Sequence, residues 1–397
     1  MIARDFFLSK FFLICFKFFT LASILMLFSC ERKQPSFKNL TVVSKTETAQ
    51  TSFIGHAVGF DLVPYDKYSI LHLFRHYNDA KDTLSFVLKK DGAVVDSGFK
   101  KLKQIQVPLY HIALLHSSYL SFFDLLETSD HLGAISEGKY IFNQKMFHAV
   151  VNGALPEVGY GELLDKEKLL ALGISAVITV GWPNAPNKSQ QLLGELGIPV
   201  LIFSDWQETT LLGRLEWLKV IAALTGKEDA ADSIFSEIAS RYNTLQLLTA
   251  AIDKKPDIIC NLPYKGSWYM PGGDSYISNV LRDAGANYLW SDQQGTGGIQ
   301  IDFEAVYAKG ISADYWINPG FAGVIVDIVE NDERLKDFRA VISGHVYNNN
   351  KRVSREIAND YWESGIVKPD VVLADLIRIF HPELLPDHEL YYYQNIK

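Results

Sequence analysis

The feature that most constrains this chain is a rhythm that occurs twice. Short apolar runs of strand length alternate with helix-period or loop segments, first between Leu109 and Phe203 and again from Asp257 onward. In the first round, strands are expected at His111–Leu115, Leu132–Ile135, Ala176–Val180 and Val200–Phe203. In the second they are expected at Asp257–Leu262, Asn287–Trp290, Asp314–Asn318 and His345–Tyr347. Such alternation requires a mainly parallel sheet with helices on its faces, because parallel neighbours need a crossover long enough to hold a helix. Two rounds therefore imply two Rossmann-like α/β lobes. Between them Ala231, Ile234, Phe235, Ile238, Tyr242, Leu245 and Leu248 fall at three- and four-residue steps, which predicts a long helix over Glu228–Ala251.

Size agrees with two lobes: 397 residues with 48% hydrophobic content can bury more than one core. The expected organisation is a leader over 1–29, a tether over 30–40, a first lobe over 41–226, a connecting helix over 227–253 and a second lobe over 254–397. Within the first lobe, Thr41–Gln106 alternates apolar and polar residues, as in Tyr68–Phe74 and Ser85–Leu88, with a turn at Lys90–Ala93. That pattern predicts β-hairpins along the edge of a sheet. A formal net charge of −8 and no long basic run argue against nucleic acid as a partner.

At the N-terminus, Arg4, Lys10 and Lys17 lie among apolar residues, and Phe18–Phe28 reads as the apolar region of a secretion signal. It ends in Leu27-Phe28-Ser29-Cys30, which resembles the lipobox of bacterial lipoproteins. The resemblance implies a diacylated Cys30 as mature N-terminus, with the lipid bilayer as a partner and the cell envelope as location. Cys15 then leaves with the leader and Cys260 stands alone, so neither an intramolecular disulfide nor a CxxC metal site is expected.

Open α/β sheets bind ligands beyond the carboxyl ends of their strands. In the first lobe those ends carry His116, Ser117 and Tyr119, then Glu137, Lys139 and Tyr140, then Tyr160, Trp182, Asp205 and Trp206. Rings after successive strands share only the cleft as a common destination. In the second lobe the first strand runs into Tyr264-Lys265-Gly266-Ser267-Trp268-Tyr269, then Gly272-Gly273 and a helix capped by Asp274 or Ser275. The candidate ligand-binding residues are Trp268, Tyr269, Lys265, Trp182, Tyr160, Tyr140, Trp206, His116 and Arg352.

The order strand, aromatic loop, glycine pair and helix ending at Ala284-Gly285-Ala286 resembles the second-lobe opening of class III periplasmic substrate-binding proteins. These serve ABC importers of ferric siderophores, haem and cobalamin. Further blocks are similar to the family's: Pro156–Gly161 with Leu163–Leu172 and Ala176–Trp182, then Leu196–Val200, Phe303–Tyr307 before Asp314–Pro319, and Pro369–Glu383. The resemblance implies two lobes joined by a rigid helix, little closure on ligand, an aromatic loop in contact with ligand, and partnership with an ABC permease and its ATPase. It implies no catalysis and no resident cofactor, and the sequence holds no G-x-S-x-G, P-loop, H-E-x-x-H or G-x-G-x-x-G. The implied ligand is a small-molecule metal complex. A ferric siderophore comes first, because Lys139, Lys265, Lys351 and Arg352 would face its anionic oxygens while rings stack on aryl groups. Cobalamin, another corrinoid, or haem held by His116 or Tyr269 is the alternative. A surface scaffold lipoprotein that keeps the fold without a ligand is a third reading. In several family members a Glu on each lobe docks onto Arg residues of the permease. The matching positions here are Asn187 and Arg282, with Glu195 and Asp283 nearby.

Overall fold

The computed structural model describes residues 54–77, 80–181, 193–194, 197–354 and 357–397. The secretion signal, the Cys30 lipobox, the tether, Trp182, Asn187 and Glu195 lie outside the described residues.

The chain begins with β1 (Phe60–Pro64), β2 (Tyr68–Tyr77), β3 (Ala80–Lys89) and β4 (Lys103–Gln106). The first three pair antiparallel, and β4 joins β3 in parallel. These strands form a sheet of their own, not the edge of the parallel sheet that the sequence predicts. The period of two explains why. Leu71, Leu73, Phe86 and Leu88 point into the main core, whereas Tyr68, Ile70 and Val87 meet Ala93 and Val95 on the other face. With both faces covered, the sheet stands as a separate layer.

The first-lobe parallel sheet comprises β5 (Ile112–Leu114), β6 (Leu132–Ile135), β7 (Ala176–Val180) and β8 (Val200–Phe203) in the order β6-β5-β7-β8. Every residue of β7 is buried, which is why it reads as an unbroken apolar run. The order reverses at β5, so the crevice beyond its carboxyl end is a topological switch point. His116 stands there.

The second lobe supplies β9 (Asp257–Cys260), β10 (Pro263–Tyr264), β11 (Ser267–Pro271), β12 (Asn287–Tyr288), β13 (Gly298–Asp302), β14 (Tyr315–Ile317), β15 (Val346–Asn348) and β16 (Gln394–Asn395). Its main sheet runs β12-β9-β14-β15-β16, parallel except for β16. A smaller antiparallel sheet, β10-β11-β13, lies apart from it.

A helix over Glu228–Thr249, about 33 Å long at 1.5 Å per residue, joins the lobes. Ala231, Phe235, Ile238, Ala239 and Tyr242 form its buried face. Its first half meets the first lobe through Asp232, 3.2 Å from Lys219 Nζ. Its second half meets the second lobe, where Arg241 Nε donates to Asp370 at 2.6 Å and Tyr242 Oη–H to Asp283 Oδ2 at 2.7 Å. Asp283 also accepts from Gln246 Nε2 at 2.9 Å and is buried. It is therefore spent on this joint and is not an exposed carboxylate for docking.

Candidate functional site

Loops from four first-lobe strands converge on one cavity of about 600 Å³. The residues lining it include His116 after β5, Ser136, Glu137 and Tyr140 after β6, Tyr160, Val180 at the end of β7, and Asp205 with Trp206 after β8. The opposite wall is built by Tyr276, Ile357, Ala358, Asn359, Trp362 and Glu363 of the second lobe. A second cavity of about 930 Å³ shares Tyr140, Trp206, Tyr276, Ile357, Asn359 and Trp362 with the first and continues along the second lobe. The two form one cleft between the lobes.

The floor is held by a buried ion pair. Arg214 reaches Asp205 Oδ2 through Nε (3.1 Å) and Nη2 (2.7 Å), and Tyr119 Oη–H donates to Oδ1 at 2.6 Å. The Arg214 guanidinium also lies 4.3 Å from the centre of the Tyr276 ring. Both oxygens of Asp205 are thus occupied, and the Arg214 charge is shared between a carboxylate and a ring. Burial alone would lower the Arg214 pKa, but Tyr276 and Asp205 outweigh it and raise it. Burial lowers the His116 pKa despite the opposing pull of Asp205. Its Nδ1 is buried and has no hydrogen-bond partner. The result is a neutral imidazole at the switch point with one ring nitrogen unused.

Glu363 links the lobes directly. Its carboxylate accepts from the Phe142 N–H at 2.7 Å and the Asn143 N–H at 2.9 Å. Burial raises its pKa to about 7, above the ordinary carboxylate range, with the two N–H donors pulling the other way. A second cross-lobe bond runs from Asn279 Nδ2 to the Thr209 carbonyl at 2.6 Å.

A family model described as periplasmic binding protein matches residues 112–353, from the first residue of β5 to just past β15. This chain belongs to the periplasmic binding protein family. Its members are solute-binding proteins, in keeping with the class III resemblance carried by the aromatic-loop and closing-helix blocks. An uncharacterized lipoprotein of Methanocaldococcus jannaschii is 24% identical over 381 residues, covering 90% of this chain and 89% of that protein. The solved structure of Helicobacter pylori CeuE with Ni(II) bound shares 15% identity, with a TM-score of 0.55 over 80% of this chain and 91% of that one. A periplasmic heme binding protein from Pseudomonas aeruginosa shares 18%, with a TM-score of 0.53 over 68% and 92%. At these identities the likeness to the solved structures is one of fold.

On this periplasmic binding protein fold, the sequence candidates divide. His116, Tyr140, Tyr160 and Trp206 all line the cleft, and Trp206 is fixed by its Nε1–H donating to the Gly181 carbonyl at 2.9 Å. Trp268 is corrected: it is 0% exposed, packed against Trp316, Phe303 and Phe338, with Nε1–H donating to the Cys260 carbonyl at 3.0 Å. The chain reverses at Lys265 and Gly266 (φ 51° and 79°), so β11 folds back and seats Trp268 in the core. Tyr269 takes the other face of β11, 47% exposed, and lines neither cavity. Lys265 is corrected too, since it occupies that hairpin turn with Nζ over the Tyr264 ring. Arg352 pairs with Asp360 (Nε to Oδ2, 2.6 Å) and stacks 4.3 Å from the Tyr391 ring centre, outside both cavities. Lys351 donates to the Leu390 carbonyl, and Lys139 pairs with Glu137 at 3.0 Å without lining either cavity.

Sequence reasoning missed Tyr276, Trp362, Arg214 and Glu363. Trp362 has a legible signal: it follows Tyr361 in a helix capped by Asn359, where neighbours point about 100° apart. Tyr361 takes the core and Trp362 is left 49% exposed in the cleft.

Proposed function

We propose that this protein is the substrate-binding component of an ABC importer, and that it captures a bulky, ring-bearing metal complex between its lobes for delivery to the permease. One observation carries the reading: His116, partly exposed and its pKa lowered by burial, stands in a cleft walled by Tyr140, Tyr160, Trp206, Tyr276 and Trp362. Rings of this number offer flat apolar contact to a macrocycle or to aryl groups, and an imidazole is a ligand for a metal with an open axial position. The Ni(II)-bound and heme-binding neighbours support a metal complex as cargo. An anionic ferric siderophore has less support than the sequence implied, because Lys139, Lys265, Lys351 and Arg352 stand outside the cleft and Arg214 is engaged by Asp205.

The test is titration of the mature protein with aquocobalamin, haemin and a ferric catecholate, read by tryptophan fluorescence and ligand absorbance. Micromolar or tighter binding of at least one is expected, with His116→Ala altering the visible spectrum of a cobalt or haem complex. Failure of all three would remove the reading in favour of a scaffold lipoprotein. The envelope location rests on the lipobox and on the lipoprotein relative. Cys30→Ser is expected to abolish membrane partitioning, since a diacyl anchor contributes about 0.8 kcal/mol per buried methylene. Retained partitioning would contradict the anchor.

A further inference from the structure

The second cavity has a lip that the rings and His116 of the first do not explain. After β14 the chain reads Asn318-Pro319-Gly320-Phe321-Ala322-Gly323, and the Phe321 side chain is 105% exposed. The backbone on both sides of it is nonetheless pinned. Gly320 turns the chain at φ 59°, a left-handed conformation that glycine adopts without strain. Asn348, which is buried, donates from Nδ2 to the Gly320 carbonyl (3.0 Å) and to the Ala322 carbonyl (2.8 Å). Asn350 Nδ2 donates to the same Ala322 carbonyl at 3.1 Å. Beyond it, Asp327 Oδ2 accepts from the N–H groups of Gly323 (2.7 Å) and Val324 (3.1 Å). The loop is therefore fixed at Gly320 and again over Ala322–Val324, and Phe321 is held out between the two points.

Phe321 does not stand alone. Val353 (46% exposed), Ile357 (55%) and Trp362 (49%) line the same cavity. Single exposed apolar side chains are ordinary, but several gathered on one groove mark a binding surface. The rest of the wall suits apolar contact as well. None of the described residues lining this cavity is Lys, Arg, His, Asp or Glu. Asn348 and Asn350 line it with both ends of their carboxamides spent, since Asn348 Oδ1 accepts from the Asn349 N–H (2.9 Å) and Asn350 Oδ1 from Gln394 Nε2 (2.8 Å). The first cavity, by contrast, holds His116, Glu137 and the Asp205–Arg214 pair. One cleft thus has a titratable end and an uncharged end with an apolar lip.

We infer that the second cavity takes a hydrocarbon arm of the bound metal complex, an alkyl or acyl chain packed against Phe321, Val353, Ile357 and Trp362, while the metal-bearing head occupies the first cavity. Cargo of this class is amphiphilic. Each methylene of the arm that is fully buried contributes about fourfold in affinity. A charged arm would lose its hydration and meet no counter-charge on this wall. The inference rests on the reading of the cleft as a metal-complex site.

Two uncharged iron(III) complexes with the same head test it, N-acetyl- and N-octanoyl-ferrioxamine B, which differ only in the length of the arm. Binding is read by displacement of N-phenyl-1-naphthylamine, a neutral dye that brightens in apolar sites. The protein is expected to bind the dye, and the octanoyl complex to displace it at a concentration at least tenfold lower than the acetyl complex. Phe321→Ser/Ile357→Ser is expected to weaken dye binding at least tenfold and to bring the two complexes within about threefold of each other. Both side chains are exposed, so denaturant unfolding should match wild type, and Phe321→Ser alone serves if the double variant does not fold. Equal displacement by the two complexes, no displacement by the octanoyl complex, or dye binding and arm preference unmoved in the folded variant overturns the subsite. Metal-free N-octanoyl-desferrioxamine B separates this from the reading beneath it. If it displaces the dye as well as its iron complex does, with the arm preference intact, the subsite stands and the metal-complex reading falls. If the two iron complexes displace the dye equally, each better than its metal-free form, the metal-complex reading stands and the subsite falls.

Discussion

The two walls of the cleft are built on the same plan from different chemistry. Each is made of loops at the carboxyl ends of parallel strands, yet the first lobe presents rings, His116 and the Asp205–Arg214 pair, while the second presents asparagines, Tyr276 and Trp362. In the aromatic stretch that looks most like a site in the second lobe, Trp268 packs in the lobe's own core and Tyr269 stands exposed outside both cavities. An exposed ring at a strand end and a ring that a hairpin folds back are written the same way in sequence. What separates them is the turn between.

The sharpest way to break this contrast is Trp268→Ala. A ring packed against Trp316, Phe303 and Phe338 should cost about 3–5 kcal/mol of folding stability when removed, with ligand affinity of the folded fraction unchanged. Denaturant unfolding and titration of one preparation check both. Unchanged stability with weakened binding would return Trp268 to the cleft.

Next in size is the pH dependence carried by Glu363, the carboxylate that spans the walls. Its folded pKa of about 7 lies above the ordinary 4.5, so the folded state holds more protons between those values. Its contribution is therefore fully present below about pH 4.5 and is lost as pH rises to 7, by about 3 kcal/mol at most. Glu363→Gln should remove that slope from stability measured across the window. A variant with the wild-type slope would show that Glu363 titrates normally.

A smaller effect is expected of Trp362→Ala. A half-exposed ring leaves the core untouched, so stability should move by less than about 1 kcal/mol while binding weakens by about 1–3 kcal/mol. A stability loss without an affinity loss would place it with Trp268. Smallest is the change in interlobe distance on binding. The Glu228–Thr249 helix and the bonds from Glu363 and Asn279 already join the lobes, so small-angle scattering should show little compaction. A large compaction would mean that these bonds open.

Most of the fold was legible because parallel strands buried on both faces leave unbroken apolar runs. Leu132–Ile135, Ala176–Val180 and Val200–Phe203 match their strands residue for residue, and the four strands expected in the second lobe differ from β9, β12, β14 and β15 at their ends, whereas β10, β11, β13 and β16 were not expected. In the first lobe the ring residues after those strands led directly to the cleft. Trp268 was misread although a signal existed: Lys265-Gly266 is a two-residue loop between short strands, the form of a tight hairpin. Arg214 carries no such signal, since a lone basic residue on a helix ordinarily faces solvent.

In the proposed function, ligand is held between the lobes by Trp206 on one wall and Trp362 on the other. The most direct test is the affinity of the Trp206→Ala/Trp362→Ala double variant for whichever metal complex the wild-type chain binds most tightly, with cooperative unfolding confirming that it is folded. Two rings at about 1–3 kcal/mol each predict a loss of at least about thirtyfold. Wild-type affinity in the folded double variant would contradict it and put the ligand elsewhere on the molecule.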